Sequence, residues 1–329
     1  MGHEVVADDI LTRAGDDGAG ATTPAPQPHR PTERRRPPFT TERGLTILGF
    51  LAPGILVVAV FTYYPMIRGA QMAFRDWNLF DLTSTPWVGF GNFRTIFADP
   101  NWGTIVSNTV IWVIGSLVPQ LVIGFGLALL LRRRFRFRGT YQALVFFPWA
   151  VSGFLIGILF RWMFNGEFGV INDLLLKAGL IDANLPWLAD PELARVSVII
   201  ANVWYGVTFF TIMILAALQS VPDEAVEAAA LDGAGKVRTL WSVIIPYIRT
   251  TLALTILLRV IWIFNFPDII YAMTNGGPAS QTHIVTTYMI TLTQQGSYGQ
   301  ASALGLLVVG VLGAFAAFYL LATKEGARS

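Results

Sequence analysis

Long apolar segments separated by short polar stretches follow one another along most of this chain. A bilayer core about 30 Å thick needs roughly 20 mainly apolar residues in a helix. Six segments meet this length. One further apolar stretch, Ile284–Leu292, is too short to span and carries four Thr or Tyr residues, so it predicts an interfacial helix outside the membrane. The fold class that follows is an all-α polytopic membrane protein. Its six predicted transmembrane helices are Thr46–Ile67, Ile105–Leu131, Ala143–Phe164, Val198–Leu218, Thr250–Tyr271 and Ala301–Ala322.

The composition agrees with this pattern except at the N-terminus. Of the 329 residues, 53% are hydrophobic and only 13% are charged, whereas soluble domains carry about 25% charged residues. Residues 1–43 are rich in Pro, Asp, Ala and Arg and predict a disordered cytoplasmic tail, because they cannot bury enough apolar surface to fold. The apolar run that follows is too long for a signal-peptide core of roughly 7–15 residues. We therefore expect a six-helix domain over residues 44–324 and a short tail at 325–329.

Basic residues are concentrated on one side of the predicted bundle, which sets its orientation. The opposite side is poorer in Arg and Lys. Because basic loops stay in the cytoplasm, we expect both termini and the loop at 220–246 to be cytoplasmic in a multi-pass protein of the cell (plasma) membrane. The basic residues on the predicted cytoplasmic side are Arg30, Arg34, Arg35, Arg36, Arg43, Arg132, Arg133, Arg134, Arg136, Arg138, Lys236, Arg238, Arg249, Lys324 and Arg328.

The sequence lacks the residues and motifs that several kinds of functional site require. The chain has no Cys and three His, two of them in the tail, so we expect no metal site and no membrane enzyme. The segment from Gly233 to Lys236 does not match a phosphate-binding loop, because Ala230 and Val237 stand where Gly and Ser or Thr are needed. The sequence therefore predicts no ATP site, no cofactor and no catalytic residue in this chain. A formal net charge of +2 is too small to indicate a nucleic-acid partner.

The loop at 220–246, which we call the coupling loop, has the pattern of a short helical hairpin. The segment from Ser220 to Asp223 has the spacing of a capping box, with Pro just inside the helix start. The Ala- and Glu-rich run 223–231 predicts a helix, and Gly233 permits a sharp turn. A second short helix is expected over 236–243 before span five. An ordinary amphipathic loop on the membrane surface is the alternative interpretation.

The coupling loop also has the chemistry of a docking site for another protein. The Glu227 carboxylate can accept two hydrogen bonds from a partner Arg, and the Ala residues beside it let a partner surface approach closely. Glu-Ala-Ala at 227–229, then Gly233, Val243 and Ile245-Pro246, has a spacing that resembles the signature loop of importer-type ABC transporter permeases. The Val and the Ile stand where that family more often has Ile and Leu.

The resemblance covers about residues 47–323 and includes other segments. The segment from Val88 to Phe93 resembles an outer-loop motif of carbohydrate permeases. The segment from Phe264 to Pro278, with its Gly-Gly-Pro ending, resembles the maltose-type first permease subunit, which implies the F-like half of a heterodimer. The residues that the resemblance implies for ATPase coupling are Glu227, Ala228, Ala229, Asp232, Gly233 and Pro246.

The resemblance further implies a function and a set of partners. The function is import of a carbohydrate by alternating access, driven by an ATPase that binds ATP and Mg²⁺ on a separate chain. The partners are a second permease subunit, an ATP-binding cassette ATPase dimer, an extracytoplasmic solute-binding protein, the carbohydrate and the lipid of the membrane.

Polar residues within the predicted spans indicate a translocation pathway. Arg259 lies near the middle of span five, where a charge costs on the order of 2.5–3.5 kcal/mol on insertion scales. It therefore either lines the pathway, contacting sugar hydroxyls or an anionic group, or makes a structural contact. The resemblance adds residues of span four, for which ordinary helix packing is the alternative. The complete predicted set is Asn202, Tyr205, Gly206, Phe209, Arg259 and Asn265, whereas Pro119 and Gln120 predict packing with a local kink.

Two other classes of protein stay open at this point. A stand-alone secondary carrier would work without an ATPase, but such carriers usually place acidic residues or His within their spans. Asp268, near the end of span five, comes nearest to that pattern. A membrane scaffold subunit would have no polar pathway. The solute could be a disaccharide, an oligosaccharide or a glycerol-phosphate-like compound, and Arg259 favours an anionic one.

Overall fold

Helices form the framework of this protein. The computed structural model describes residues 41–81 and 83–325, and strand-like pairing in these ranges is limited to isolated bridges. The predicted all-α fold is confirmed. The helices are α1 (Thr41–Val58), α2 (Tyr64–Met72), α3 (Gly91–Ala98), α4 (Trp102–Arg132), α5 (Arg138–Phe146), α6 (Gly153–Met163), α7 (Val170–Lys177), α8 (Pro191–Leu218), α9 (Asp223–Leu231), α10 (Lys236–Thr239), α11 (Ile245–Phe264), α12 (Asp268–Met273), α13 (Val285–Gln294) and α14 (Tyr298–Glu325).

The chain divides into two compact units within α1. Of the first unit, Met1–Leu56, the structure describes residues 41–56, which form most of α1. The second unit, Val57–Ser329, contains a π-helical turn at Ala59–Tyr63 and every later helix. The tails predicted at the two ends of the chain lie outside the described residues, except where α1 and α14 extend into them.

Five helical segments within the described residues are long and apolar enough to cross a membrane. A sixth crossing results if the bent pair α5 and α6 counts as one span. The longest segment joins α10, a π-helical turn, α11 and α12. These segments correspond to predicted spans one, two, four, five and six, and they are Thr46–Met72, Trp102–Arg132, Pro191–Leu218, Lys236–Met273 and Tyr298–Thr323.

The predicted third span, Ala143–Phe164, is not one straight helix. A 3₁₀ turn at Phe147–Ala150 follows α5, and α6 then departs at an angle of 98°. Pro148 supplies the cause, because proline lacks the N–H that would continue the helix. Val151 and Ser152 then adopt extended backbone before α6 begins. Apolar composition continues across this break, so hydropathy alone does not reveal it.

Helix α8 is the centre of the second unit. In its most apolar stretch 67% of the residues are buried within the chain, against 22% for α4 and 11% for α14. One apolar cluster joins α8 to α4, α6 and the end of α11, and a second joins α8 to α4 and the start of α11. A third cluster lies between α3, α4, α13 and α14. Side chains from α4 and α11 therefore meet at α8.

A glycine permits the close approach of α4 to α8. A Cβ atom at Gly124 would lie 2.6 Å from Phe210 Cβ and 3.1 Å from the Val207 carbonyl oxygen. On the same helix, a Cβ atom at Gly126 would meet nothing within 4 Å. Small residues at helix contacts let two backbones come close together, and Gly124 has that role here.

The short helix predicted at Ile284–Leu292 is observed as α13, which begins directly after Ile284. Hydrogen bonds fix its first turn to two of the long helices. Val285 N donates to Thr109 Oγ1 of α4 at 3.0 Å, and Thr286 Oγ1 donates to the Phe264 carbonyl of α11 at 3.3 Å. The position of α13 relative to the bilayer stays a prediction.

We expect Gly124→Ala to destabilise the folded chain, because the added methyl group must displace Phe210 or separate α4 from α8. Overpacking of this kind costs about 1–3 kcal/mol. The matched control is Gly126→Ala, which adds the same atom to open space and raises helix propensity. Thermal unfolding in detergent should give a lower midpoint for Gly124→Ala than for the control. Equal midpoints would contradict the assigned contact.

Candidate functional site

The coupling loop folds as a helical hairpin between α8 and α11. Its first helix, α9, covers the predicted residues 223–231. Its second helix begins at Lys236 as predicted but continues through a π-helical turn at Leu240–Ile244 into α11. Pro246 lies in the first turn of α11. The second arm of the hairpin is therefore the beginning of the long α11 segment rather than a separate element.

The predicted capping box at the start of α9 is wrong. Pro222 precedes the helix in extended conformation and provides no side-chain cap. Ser220 Oγ instead donates a hydrogen bond to the Ala217 carbonyl at 2.7 Å. Ser220 still belongs to the turn that ends α8, and its hydroxyl group is used there.

The turn between the two arms depends on Gly233. Its φ of +76° lies in the left-handed region that favours glycine. Gly233 N donates to the Ala230 carbonyl at 3.1 Å, and Ala234 N donates to the Ala229 carbonyl at 2.9 Å. This pair of hydrogen bonds is a Schellman motif, which satisfies the last carbonyl groups of a helix. Gly233 thus sets the angle at which the chain leaves α9.

The hairpin exposes acidic, basic and apolar side chains. Leu231 is 90% exposed, Val237 72% and Trp241 67%. Clustered exposed apolar side chains mark binding surfaces in many proteins. Sequence analysis missed these three residues, although apolar side chains within a polar loop are a usable signal. Among the predicted coupling residues Ala229 is half-buried, and the exposed ones are Glu227, Ala228, Asp232, Gly233 and Pro246.

The other face of the hairpin is packed against the bundle. Val221 and Ile244 are buried in the cluster that α8 forms with α4 and α11, and Val226 packs against it. Arg132 at the end of α4 also pairs with Asp223 at 3.2 Å. The Asp223 side chain is 89% exposed, so this ion pair contributes about 0–1 kcal/mol. Apolar packing is therefore the main connection between the hairpin and the long helices.

A chain of hydrogen bonds joins three helices in the interior of the bundle. Arg259 of α11 is 1% exposed, and its Nε donates to Gln120 Oε1 of α4 at 2.7 Å. Gln120 Nε2 donates in turn to the Asn202 carbonyl of α8 at 2.8 Å. Sequence analysis assigned Gln120 only to packing, and the structure instead makes it the link between the predicted residues Arg259 and Asn202.

Gly206 leaves room for this arrangement. A Cβ atom at Gly206 would lie 2.1 Å from Arg259 Nη2 and 2.3 Å from Gln120 Nε2. Any larger side chain would therefore displace the guanidinium group or the amide. The spacing of Asn202 and Gly206 by one helical turn places both beside Gln120, as expected for residues on one helix face.

Aromatic rings cover the guanidinium group of Arg259. Its central carbon lies 5.5 Å from the ring centroid of Phe209 and 5.9 Å from that of Trp262. Trp149, in the 3₁₀ turn between α5 and α6, lies 5.8 Å from the Phe209 ring and 5.7 Å from the Trp262 ring. The break in the third span therefore brings Trp149 to the site, and neither Trp was among the predicted site residues.

The charge of Arg259 is only partly compensated by these contacts. A cation–π contact contributes about 0.5–2 kcal/mol, whereas taking an ion out of water costs several kcal/mol. Within residues 41–81 and 83–325, no carboxylate forms an ion pair with Arg259, and Gln120 is its one hydrogen-bond partner.

Asn202 contributes a second unsatisfied group. Its side-chain nitrogen and oxygen are both buried without a hydrogen-bond partner among the described residues. A buried amide without partners costs free energy, so its presence needs an explanation beyond packing. The predicted residue Tyr205 stacks on Phe266 at 5.2 Å. Asn265 is exposed and donates to the Ile261 carbonyl at 3.1 Å, and its role in a pathway stays a prediction.

A separate cavity of about 770 Å³ lies where the end of α6 meets the segment after α12. Arg161, Asn165 and Glu167 line one wall, and residues 273–274 and the Gly277-Pro278 pair line another. The cavity therefore includes part of the Gly-Gly-Pro segment that sequence analysis singled out. It shares no lining residue with the Arg259 cluster.

Comparisons with known proteins agree with this architecture. A sulfoquinovosyl glycerol transport system permease of Agrobacterium fabrum is 30% identical over 287 residues, which are 86% of this chain and 92% of the relative. A trehalose/maltose transport system permease of Thermococcus litoralis is 31% identical over 277 residues, 83% and 92% of the two chains.

A solved structure is similar over nearly the same range. It is a chain of a bacterial ABC transporter involved in the import of the acidic polysaccharide alginate, with a TM-score of 0.75 and 26% identity over 86% of this chain and 96% of that one. The family model of the binding-protein-dependent transport system inner membrane component matches residues 120–324. The chain therefore belongs to this family of membrane-embedded permease subunits.

Proposed function

We propose that this chain is the membrane-spanning permease subunit of a binding-protein-dependent ABC importer that transports a carbohydrate by alternating access. Family membership and the carbohydrates named for its relatives support this function. One structural observation carries the mechanism: the coupling loop connects α8 to α11, and these two helices hold Asn202, Gly206, Phe209 and Arg259.

The exposed face of the coupling loop is the docking surface for the ATPase in this proposal. Glu227 offers a carboxylate for a partner Arg, and Leu231, Val237 and Trp241 supply exposed apolar area on the same loop. ATP and Mg²⁺ bind to the partner ATPase dimer, which carries out hydrolysis. The coupling loop and both termini then face the cytoplasm, and the solute-binding protein docks on the opposite side.

Motion passes from the docking surface to the pathway through packed side chains. Closure of the ATPase dimer displaces α9, whose Val226 packs against the cluster that contains the buried Val221 and Ile244. A relative shift of α8 and α11 changes the distance between Asn202 and Arg259, which Gln120 connects. ATP can drive this change only if the two conformations differ in affinity for nucleotide.

The interior site has the chemistry of a sugar pathway. Sugars present hydroxyl groups on their edges and apolar C–H faces, which suit an amide and aromatic rings. The unsatisfied Asn202 amide supplies hydrogen-bonding groups, and Phe209, Trp149 and Trp262 form an aromatic group at Arg259. The second permease subunit contributes the other wall of the pathway.

Affinity purification from native membranes tests the function directly. An importer subunit should bring down an ABC ATPase and a second permease, and a saccharide presented with its binding protein should stimulate ATP hydrolysis by the complex. Saccharide uptake by this chain alone, without an ATPase, would instead establish a secondary carrier. A complex without an ATPase and without transport would establish a scaffold.

We expect Glu227→Lys to reduce saccharide-stimulated ATP hydrolysis to about a tenth or less, since it replaces a desolvated ion pair with a like-charge contact. The matched control is Glu224→Lys, which makes the same charge change at an exposed position of the same helix outside the family motif. Gel filtration should show assembled permease heterodimers for both variants. Equal losses for the two variants would contradict a specific role for Glu227.

We expect Gly206→Ala to reduce uptake about tenfold, because a displacement costing about 1–3 kcal/mol must occur at Arg259 or Gln120. Gly126→Ala, which adds the same methyl group to open space on α4, is the control and should transport at the wild-type rate. ATPase binding should be unchanged in both variants. Wild-type uptake by Gly206→Ala would exclude the packed arrangement around the guanidinium group as a requirement for transport.

A further inference from the structure

Arg259 is a buried cation that lacks an anionic partner within the described residues. Its single hydrogen bond is to Gln120 Oε1, a neutral acceptor, at 2.7 Å. A guanidinium group has further N–H donors on Nη1 and Nη2 and cannot lose its charge under physiological conditions. The ion pairs of the described residues involve Arg132, Lys177 and Arg195 and leave Arg259 out. The described residues therefore leave this positive charge without an anion.

The aromatic side chains around Arg259 suit a sugar ring, in addition to the anion that its charge would attract. Phe209 and Trp262 lie against the guanidinium group, and Trp149 contacts both rings. Trp149 and Trp262 are 37% and 40% exposed, so this aromatic wall is open on one side. Aromatic rings can stack against the C–H faces of a sugar ring while a charged substituent reaches past them.

A second polar group, independent of Arg259, also lacks a partner. Both amide atoms of Asn202 are buried and unsatisfied, although its backbone carbonyl accepts from Gln120. Gln120 thus lies between the unsatisfied cation and the backbone of the residue that carries the unsatisfied amide. A sugar hydroxyl group beside an anionic substituent would satisfy both.

We propose that the solute is an anionic saccharide whose carboxylate or sulfonate group binds Arg259 during translocation. This inference rests on the proposed import function and narrows it to one chemical class. In the conformation described here the aromatic rings cover the guanidinium group, so the anion gains access when Trp149 and Trp262 separate. Arg can bind such a group through two parallel hydrogen bonds from the edge of its planar guanidinium group, using the nitrogen atoms that Gln120 leaves free.

Matched pairs of probes separate the charge of a saccharide from its shape. The pairs are cellobiouronate with cellobiose, digalacturonate with galactobiose, and methyl 6-deoxy-6-sulfoglucoside with methyl glucoside. Uptake is measured in proteoliposomes that contain the complete importer and its binding protein. Because the same binding protein serves every variant, a change in the acid-to-neutral uptake ratio between variants is caused by the permease.

We expect the wild-type importer to transport the acidic member of at least one pair faster than the neutral member. Arg259→Gln should lower that ratio by about tenfold or more, the effect of removing one partner of a buried charge pair. Arg259→Lys keeps the charge and should retain part of the preference. Arg249→Gln removes a positive charge nearer the start of the same helix, at an exposed position, and should leave the ratio unchanged.

A second variant tests the same idea without removing Arg259. Gln120→Glu places a carboxylate where the neutral Oε1 now accepts from Arg259, with almost no change in shape. This internal anion should compete with the solute and lower the acid-to-neutral ratio, whatever its effect on the absolute rate of neutral uptake. If Arg259 has only a structural role, the acid-to-neutral uptake ratio of Gln120→Glu should be unchanged, because the new ion pair would preserve the contact between α4 and α11.

Each of the remaining outcomes contradicts one part of the proposal: the anionic solute, the role of Arg259 or the import function. A wild-type preference for the neutral member of every pair overturns the anionic class while leaving carbohydrate import intact. An equal loss of both members in Arg259→Gln assigns Arg259 to packing or to a carboxylate of the second permease. A complex in which no saccharide of either charge stimulates ATP hydrolysis contradicts the proposed function itself.

Discussion

A permanent positive charge held inside an apolar bundle is the constraint on which this structure depends. Arg259 is almost fully buried, and a neutral amide from another helix is its hydrogen-bond partner among the described residues. Because guanidinium cannot be neutralised by deprotonation, the surrounding residues must accommodate it. Gln120 orients it, aromatic rings cover it and Gly206 leaves space for it. These contacts join α4, α8 and α11 around the charge.

Helices α8 and α11 join this interior site to the coupling loop, the proposed docking surface for an ATPase. α8 and α11 hold the polar cluster in their middle portions and are connected at one end by the coupling loop. The buried residues Val221 and Ile244 leave little freedom between the loop and the helices, and well-packed cores transmit displacement rather than absorb it. In the proposed mechanism a partner ATPase thus acts on the interior site through a short packed path.

Most of the architecture follows from local patterns in the sequence. Hydropathy identified five continuous spans, and the hairpin with its turn at Gly233 follows from composition and glycine chemistry. Hydropathy did not reveal the bend in span three, because a proline within an apolar run changes the backbone without changing the composition. The role of Ser220 was misassigned because the end of α8 competes for its hydroxyl group.

The interior site was only partly predictable for a related reason. A charge in the middle of a span is visible in sequence, and the family resemblance supplied Asn202, Gly206 and Phe209. The sequence did not indicate Gln120, Trp149 or Trp262 as site residues, because their importance comes from contacts between distant segments. Composition cannot show such contacts, and each of these residues taken alone is consistent with ordinary packing or with an interfacial anchor.

A structure of the assembled importer with an acidic saccharide bound tests the central claim most directly. The account predicts the anionic group of the saccharide within hydrogen-bond distance of the Arg259 terminal nitrogens, with Trp149 and Trp262 moved apart around the sugar ring. A carboxylate of the second permease subunit paired with Arg259 in both the empty and the loaded complex would contradict it.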